Sequence, residues 1–301
     1  MKRTKILWIT LLLGLSVLAI LCCGGSLLAF GRTRGSPQAL TFLGPEGVAL
    51  IEVKGVVTTD SYSSPFVIAS RTLVETLRSA DENPRVAAIL LYVNSPGGDA
   101  VASDEVYRAL KALKKPTVAY LGDIAASGAY YIACGADKIV AHPATLTGSI
   151  GVIVEMPNAQ KFMERLGLEV VVIKSGPHKD VGNFYRSLTE EEKAYWQELV
   201  NRVHEMFLEV IVRERGLPEE KLKPIADGRL ILGEDALKFG LVDKLGSFDD
   251  ALRLAGELGG IEGEPRIIRY RIAPSFIESL LYEIRNLLPV TPFPRLMFVY
   301  K

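Results

Sequence analysis

The run Val86-Ala-Ala-Ile-Leu-Leu-Tyr-Val93 is apolar at almost every position, with no alternation of polar and apolar side chains. A strand of that kind must be covered on both faces, which points to a parallel sheet with helices on either side. The sequence around it repeats the theme. Val48–Val53 reads as a strand, and residues 67–80 as a helix with Leu73, Val74 and Leu77 on one face. After Ser95-Pro-Gly-Gly-Asp99 a helix runs to Lys114, turning Ala102, Val106, Leu110 and Leu113 inward. Pro116–Leu121 reads as a strand that breaks at Gly122, and a helix begins at Ser127. Lys138–Ala141, the segment Leu146–Glu155, a helix over Asn158–Leu166 and a strand over Leu168–Ile173 continue the pattern. Alternation of this kind predicts an α/β domain with a largely parallel sheet.

A longer helix is expected from Thr189 to Arg215. Thr189 and Glu192 form a capping box, Gly216 and Pro218 end the helix, and Tyr195, Leu199, Val203, Met206 and Val210 line one side. Residues 229–259 add a strand, a short helix, the Leu241–Leu245 segment and another helix. Beyond Pro265 the pattern changes. Arg266–Ile272 alternates like an exposed strand, and Ser275–Leu288 places Phe276, Ile277, Leu280, Leu281, Ile284 and Leu287 on one stripe. That stripe needs an apolar partner: a neighbouring subunit, the domain's own core, or a membrane surface.

At the other end, Ile6–Phe30 is free of charge and follows Lys2, Arg3 and Lys5. It exceeds the roughly 20 residues that cross a bilayer as a helix. It is also longer than the apolar core of a secretory signal, and Leu27-Leu28-Ala29-Phe30 is a poor cleavage site, so it reads as a retained anchor. The basic residues before it favour a cytoplasmic N-terminus, with the remaining chain on the extracytoplasmic side. The expected organisation is a cytoplasmic stub and anchor over 1–30, a linker over 31–45, the main domain over 46–263 and an extension over 264–301.

Composition excludes several functions. Without Lys2, Arg3 and Lys5 the chain carries 32 basic against 35 acidic side chains, a net charge of −3, which is no basis for nucleic-acid binding. Cys22 and Cys23 lie in the anchor and Cys134 stands alone, while His142, His178 and His204 are scattered, so neither a disulfide framework nor a metal site is expected. No GxxxxGK[ST] loop is present, so nucleotide use is not expected either.

The run Gly122-Asp-Ile-Ala-Ala-Ser127-Gly-Ala-Tyr-Tyr131 carries the chemistry. Ser127 at the start of a helix lies near unpaired N–H groups that favour developing negative charge, which suits a nucleophile. The plainer alternative is a tight packing segment with Ser127 as its N-cap. Amide hydrolysis also needs a base and donors for the oxyanion. The N–H of Gly128 is one candidate donor, and Gly97 or Gly98 offers a second if the loop after Val93 meets the loop after Leu121. Ser95-Pro-Gly-Gly equally suits an ordinary strand-to-helix turn. For the base, the loop Lys174-Ser-Gly-Pro-His-Lys-Asp180 offers Lys174, His178 and Lys179. A lysine base requires burial to lower its pKa from about 10.4 towards 7.

Asn94-Ser-Pro-Gly-Gly-Asp99, Ala125-Ala-Ser-Gly-Ala-Tyr-Tyr131, Ala136-Asp-Lys-Ile139, Thr145-Leu-Thr-Gly-Ser-Ile-Gly-Val152, Lys174-Ser-Gly-Pro-His-Lys-Asp180, Ala226-Asp-Gly-Arg229 and Gly240-Leu-Val-Asp243 together resemble short-form bacterial signal peptide peptidase A. The likeness runs in unbroken order over about residues 46–260. It implies a Clp/crotonase-like fold of repeated strand-strand-helix units behind one transmembrane helix. It also implies a membrane-anchored Ser/Lys serine protease that degrades cleaved signal peptides and other hydrophobic peptides without ATP or any cofactor. On this likeness the nucleophile falls on Ser127, the general base on Lys179, the lysine-orienting hydroxyl on Ser149, and the oxyanion donors on Gly98 and Gly128. It further implies a ring- or dome-shaped homo-oligomer at the bacterial cytoplasmic membrane, in which Ser127 and Lys179 pair within one chain or between chains.

Two other readings share these features. A crotonase-type enzyme acting on acyl-coenzyme A uses similar paired amides, and a non-catalytic membrane scaffold would use Ser127 as a cap alone. A Clp-type peptidase dependent on an ATPase would carry a histidine about 25 residues after its serine, where this chain has Val152.

Overall fold

The computed structural model describes residues 46–59, 66–272 and 297–299. The expected anchor at 6–30, the linker at 31–45 and the amphipathic helix at 275–288 lie outside the described residues. Among the described residues, no helix is long and apolar enough to cross a membrane.

In chain order the elements are β1 (Gly47–Lys54), β2 (Val56–Thr58), β3 (Val67–Ala69), α1 (Ser70–Glu82), β4 (Val86–Ser95), β5 (Gly97–Asp99), α2 (Ala100–Lys111), β6 (Thr117–Ala126) and α3 (Gly128–Ala133). There follow β7 (Lys138–Ala141), β8 (Leu146–Gly148), α4 (Gln160–Arg165), α5 (Glu190–Arg215), β9 (Leu230–Leu232), α6 (Gly233–Lys238), β10 (Lys244–Leu245), α7 (Phe248–Leu258), β11 (Arg266–Tyr270) and β12 (Met297–Val299). The main sheet has the order β10-β7-β6-β4-β1-β11, with β8 alongside the end of β6 and β9 beside β8. Every pairing in it is parallel except β8 with β9. A smaller sheet runs β12-β5-β2-β3, in which only β12 is antiparallel to its neighbour. The expected α/β architecture with a mostly parallel sheet is therefore present.

The central strand β4 shows why its sequence lacks alternation. Ile89, Leu91 and Val93 pack into the cluster that holds Leu73 and Leu77 of α1, Val106 and Leu110 of α2 and Ile132 of α3. Ala88 and Leu90 face the other way, into the cluster with Ala251, Leu252 and Ala255 of α7. Each fully buried aliphatic side chain stabilises the fold by about 1.5–3 kcal/mol. A charge at Leu90, which is wholly buried, would break the second cluster.

The structure departs from the sequence reading in five places. Val67–Ala69 is not helical; it pairs with Val56–Thr58 as β3, and the helix begins at Ser70. Gly97–Asp99 is a strand and not a turn. Gly122 does not end β6, which continues to Ala126 because β8 takes over as its partner at Ile124–Ala126. A Cβ at Gly122 would stand 3.0 Å from the Tyr92 hydroxyl, so the glycine serves close packing of β4 on β6. Leu168–Ile173 pairs with no strand among the described residues, and Val171 and Ile173 are 80% and 98% exposed. Finally, the capping box at Thr189 and the left-handed Gly216 cap are both present on α5, yet its expected stripe is only partly inward. Phe207, Leu208, Val210 and Ile211 are buried, whereas Tyr195 and Met206 are exposed, because only the C-terminal half of α5 lies against the core.

Candidate active site

Parallel neighbours β4 and β6 deliver their C-terminal ends to the same edge. Ser95 is paired with Ala125, after a register shift between Val93 and Ser95. The Ser95 hydroxyl donates to the Gly55 carbonyl at 2.6 Å and accepts from the Gly97 amide at 3.1 Å, so the chain turns sharply into β5. Gly97 has a φ of 108°, and a side chain at Gly98 would collide with the Val57 carbonyl. Both glycines are therefore demanded by the backbone. Gly98 lies between two strands, opposite Val57 of β2 and opposite Phe298 of β12. The outer edge of β5 thus carries an antiparallel segment from the chain's own C-terminal end.

Ser127 occupies the sharp junction between β6 and α3 with φ 55° and ψ −120°, a left-handed conformation that costs a non-glycine residue about 1–3 kcal/mol. Strained strand-to-helix turns of this kind are used to present nucleophilic serines. Ser127 is 1% exposed, and its side chain does not cap α3. Its hydroxyl makes no hydrogen bond among the described residues, so the capping alternative is not realised. The Gly128 amide at the first position of α3 has no acceptor among the described residues either. With six residues, α3 has a small dipole, and the free N–H matters more than the helix behind it.

Ser149 lies beside Ser127. Ala126 pairs with Gly148 in parallel, the Ser127 amide donates to the Gly148 carbonyl at 2.8 Å, and the next residue of each strand is a serine. Paired strands run about 4.8 Å apart. Ser149 is also left-handed, with φ 48°, and its amide donates to the Arg229 carbonyl at 2.8 Å. Its hydroxyl too is without a hydrogen-bond partner among the described residues.

Lys179 lies in the 3-10 turn Pro177–Asp180, is exposed, and forms no ion pair or hydrogen bond through its side chain among the described residues. A single chain therefore brings Ser127 and Ser149 together, places Gly98 and Gly128 on the same edge, and does not join Lys179 to either serine. Lys174 is differently committed: its ammonium donates to Asp180 Oδ1 at 2.6 Å and to the Pro177 carbonyl at 2.9 Å. With its ammonium already committed to these two acceptors, Lys174 is poorly placed to serve as a base. His178 stacks on Tyr195, with ring centroids 6.1 Å apart. Cys134 is buried, and burial pushes its thiol up to about 12, so it stays protonated.

Arg186 escaped the sequence reading. Its guanidinium grips Asp180 through Nε and Nη2, both at 2.8 Å, and Glu192 through Nη2 at 2.7 Å and Nη1 at 2.9 Å. The hydrogen bonds from Arg186 and then Lys174 hold the Asp180 carboxyl well below the usual range. Arg186, with the Thr189 amide, lowers Glu192 to about 2. The local signal was an arginine three residues before a capping box, which has no meaning until the loop is folded. Beside β5, a hollow of about 850 Å³ is lined by Asp99, Val101, Tyr131, Trp196, Val203 and Val210. Trp196 Nε1 is buried there without an acceptor among the described residues. Among the described residues no cluster of side chains is suited to hold a metal ion.

The model of peptidase family S49 matches residues 109–262, just over half of the chain, and that of the Clp protease family matches residues 66–147. A putative protease of Synechocystis sp. is 39% identical over 217 residues, which are 71% of this chain and 75% of that protein. A putative signal peptide peptidase SppA of Enterococcus faecium is 35% identical over 211 residues, covering 68% of this chain and 61% of the relative. Protease 4 of Salmonella typhi is 32% identical over 249 residues, which span 80% of this chain and 40% of the longer protein. Family model and relatives agree on the class, a serine peptidase, and the fold is of α/β architecture. More narrowly, the chain belongs to peptidase family S49.

Proposed function

We propose that this chain is a membrane-anchored serine endopeptidase that works without ATP or cofactor, with Ser127 as nucleophile and Lys179 as general base. The unprotonated amine takes the proton of Ser127, and the alkoxide attacks a peptide carbonyl held by the Gly98 and Gly128 amides. The C–N bond then breaks as the lysine ammonium returns its proton to the leaving amine, and a water deprotonated by the lysine hydrolyses the acyl–serine ester. Ser149 orients the lysine. The observation that carries this reading is the pair of hydroxyls at Ser127 and Ser149, held side by side at positive φ next to the Gly128 amide, all three without a hydrogen-bond partner among the described residues. Positive φ at two adjacent serines is a cost that packing alone does not require.

Lys179 reaches Ser127 in an assembly of copies. The exposed apolar ribbon at Leu168 and Val170–Ile173 supports this, since a second copy would cover it and exclude water near the amine. We infer a ring- or dome-shaped homo-oligomer at the bacterial cytoplasmic membrane, with the peptidase domain at 46–263 on the extracytoplasmic side. Its substrates are cleaved signal peptides and other hydrophobic peptides. The apolar lining beside β5, the antiparallel strand already seated on β5, and the likeness to the putative signal peptide peptidase of Enterococcus faecium support that choice.

The test is digestion of a synthetic signal peptide by the purified protein. Wild type is expected to cleave it, while Ser127→Ala and Lys179→Ala do not, with folding and assembly intact. Retained cleavage by Lys179→Ala, with loss in His178→Ala, would replace the lysine by a histidine mechanism.

A further inference from the structure

We propose that Arg186 is a positioning residue for Lys179: it draws Asp180, the carboxylate next in sequence, into its own ion pair and so leaves the lysine without a counter-ion. The inference rests on the Ser/Lys reading above and adds a residue to it. A lysine that must lose its proton near neutral pH is poorly served by an adjacent carboxylate, because an opposite charge within about 4–6 Å holds the ammonium form by 1–3 pH units. In the turn Pro177–Asp180 the two neighbours are treated differently: Lys179 is exposed and unpaired among the described residues, whereas Asp180 is buried.

The burial of Asp180 is fully compensated. Oδ1 accepts from Lys174 at 2.6 Å and from Arg186 Nη2 at 2.8 Å, and Oδ2 accepts from Arg186 Nε at 2.8 Å. The same guanidinium reaches Glu192, whose Oε2 accepts from the Thr189 amide at 2.9 Å at the start of the 26-residue α5. One planar fork therefore ties the turn that carries Lys179 to the first turn of the longest described helix. A lysine has no second fork with which to do this. Two carboxylates, one guanidinium and one ammonium sum to zero, so the cluster adds no net charge beside Lys179.

The other charged groups around the turn are Glu164 and Glu169, which line the adjoining hollow with Lys174 and Arg186, and Glu190, Glu191 and Lys193 on α5. Of these, Glu190 is paired with Lys193 at 2.6 Å. His178 is stacked on Tyr195. Among the described residues none of these groups pairs with Lys179.

The test is the pH dependence of kcat/KM on a synthetic signal peptide, measured with the full-length protein. The mechanism needs the amine neutral, so the acid limb follows the lysine pKa. In Arg186→Gln Asp180 keeps Lys174 on Oδ1 but loses both Arg186 bonds, and the carboxylate so released on its Oδ2 side turns to Lys179. The limb is expected to move up by about one to two pH units, lowering kcat/KM at pH 7 some ten- to a hundredfold, chiefly in kcat. Adding Asp180→Asn returns the limb to its wild-type position, which loss of structure alone would not do. A limb that stays in place in Arg186→Gln, or that fails to return in the double variant, overturns the proposal. Should Arg186→Gln not fold, Lys174→Met on the more exposed side of the cluster is expected to give a smaller shift of the same sign, again reversed by Asp180→Asn; an unmoved limb there overturns it equally. Lys179→Ala separates the two levels. Wild-type cleavage by that variant defeats the Ser/Lys reading itself, whereas an inactive Lys179→Ala with an unmoved Arg186→Gln limb defeats only the role of Arg186.

Discussion

Ser127 and Ser149 leave the ends of two paired strands together, tied by a 2.8 Å hydrogen bond from the Ser127 amide to the carbonyl of Gly148, the residue before Ser149. Each has a positive φ, and the strain of both is held by the same parallel ladder. The arrangement separates what Ser127 does for chemistry from what it does for folding, which makes it testable.

Replacing Ser127 by Ala removes a hydroxyl that makes no hydrogen bond among the described residues, so the urea midpoint is expected to stay within experimental scatter while labelling by a serine-reactive fluorophosphonate disappears. Ser127→Gly relieves the left-handed strain and is expected to stabilise the protein by about 1 kcal/mol. A loss of stability in Ser127→Ala would mean that the side chain is a structural cap after all.

The Arg186 cluster gives stability its own pH dependence. Asp180 and Glu192 both titrate lower in the folded protein than their ordinary values near 4, chiefly through Arg186. The unfolded chain therefore binds more protons as pH falls, and the contribution, complete above about pH 5, is lost as pH drops towards about 2. The fall in urea midpoint between pH 6 and pH 3 should be larger in wild type than in Arg186→Gln. Raising salt should shrink that difference, since the Arg186 side chain is partly exposed. Equal falls in the two proteins would show that the cluster carries none of the dependence.

The strand β12 occupies the edge of β5 on which an extended peptide would pair. Removing Met297–Lys301 frees that edge, and the expected result is a lower KM for a peptide substrate with kcat little changed. An unchanged or higher KM would place the peptide elsewhere.

Legibility from sequence followed the range of the forces involved. Val86–Val93 was readable because burial on both faces leaves one pattern, and α5 because Thr189 and Gly216 are local caps. The three-residue strands β3 and β5 are too short to show a period and exist only through their partners. Leu168–Ile173 has the composition of a strand but finds no partner strand among the described residues, because composition does not supply a neighbour. Ser127 and Gly128 were readable as candidates at a strand-to-helix break and Ser149 only through the family resemblance, yet the left-handed backbone at both serines is imposed by β8 and by the Arg229 carbonyl, which no local rule foresees. Arg186 was invisible for the same reason, since its two carboxylates become neighbours only when the loop folds back on α5.

The near-total burial of Ser127 has a consequence for what can be attacked. A globular domain keeps its carbonyls inside its own ladders and offers no solitary thread narrow enough to enter such a recess. Harmlessness towards intact neighbours would then follow from shape alone, without a gatekeeper or a motor.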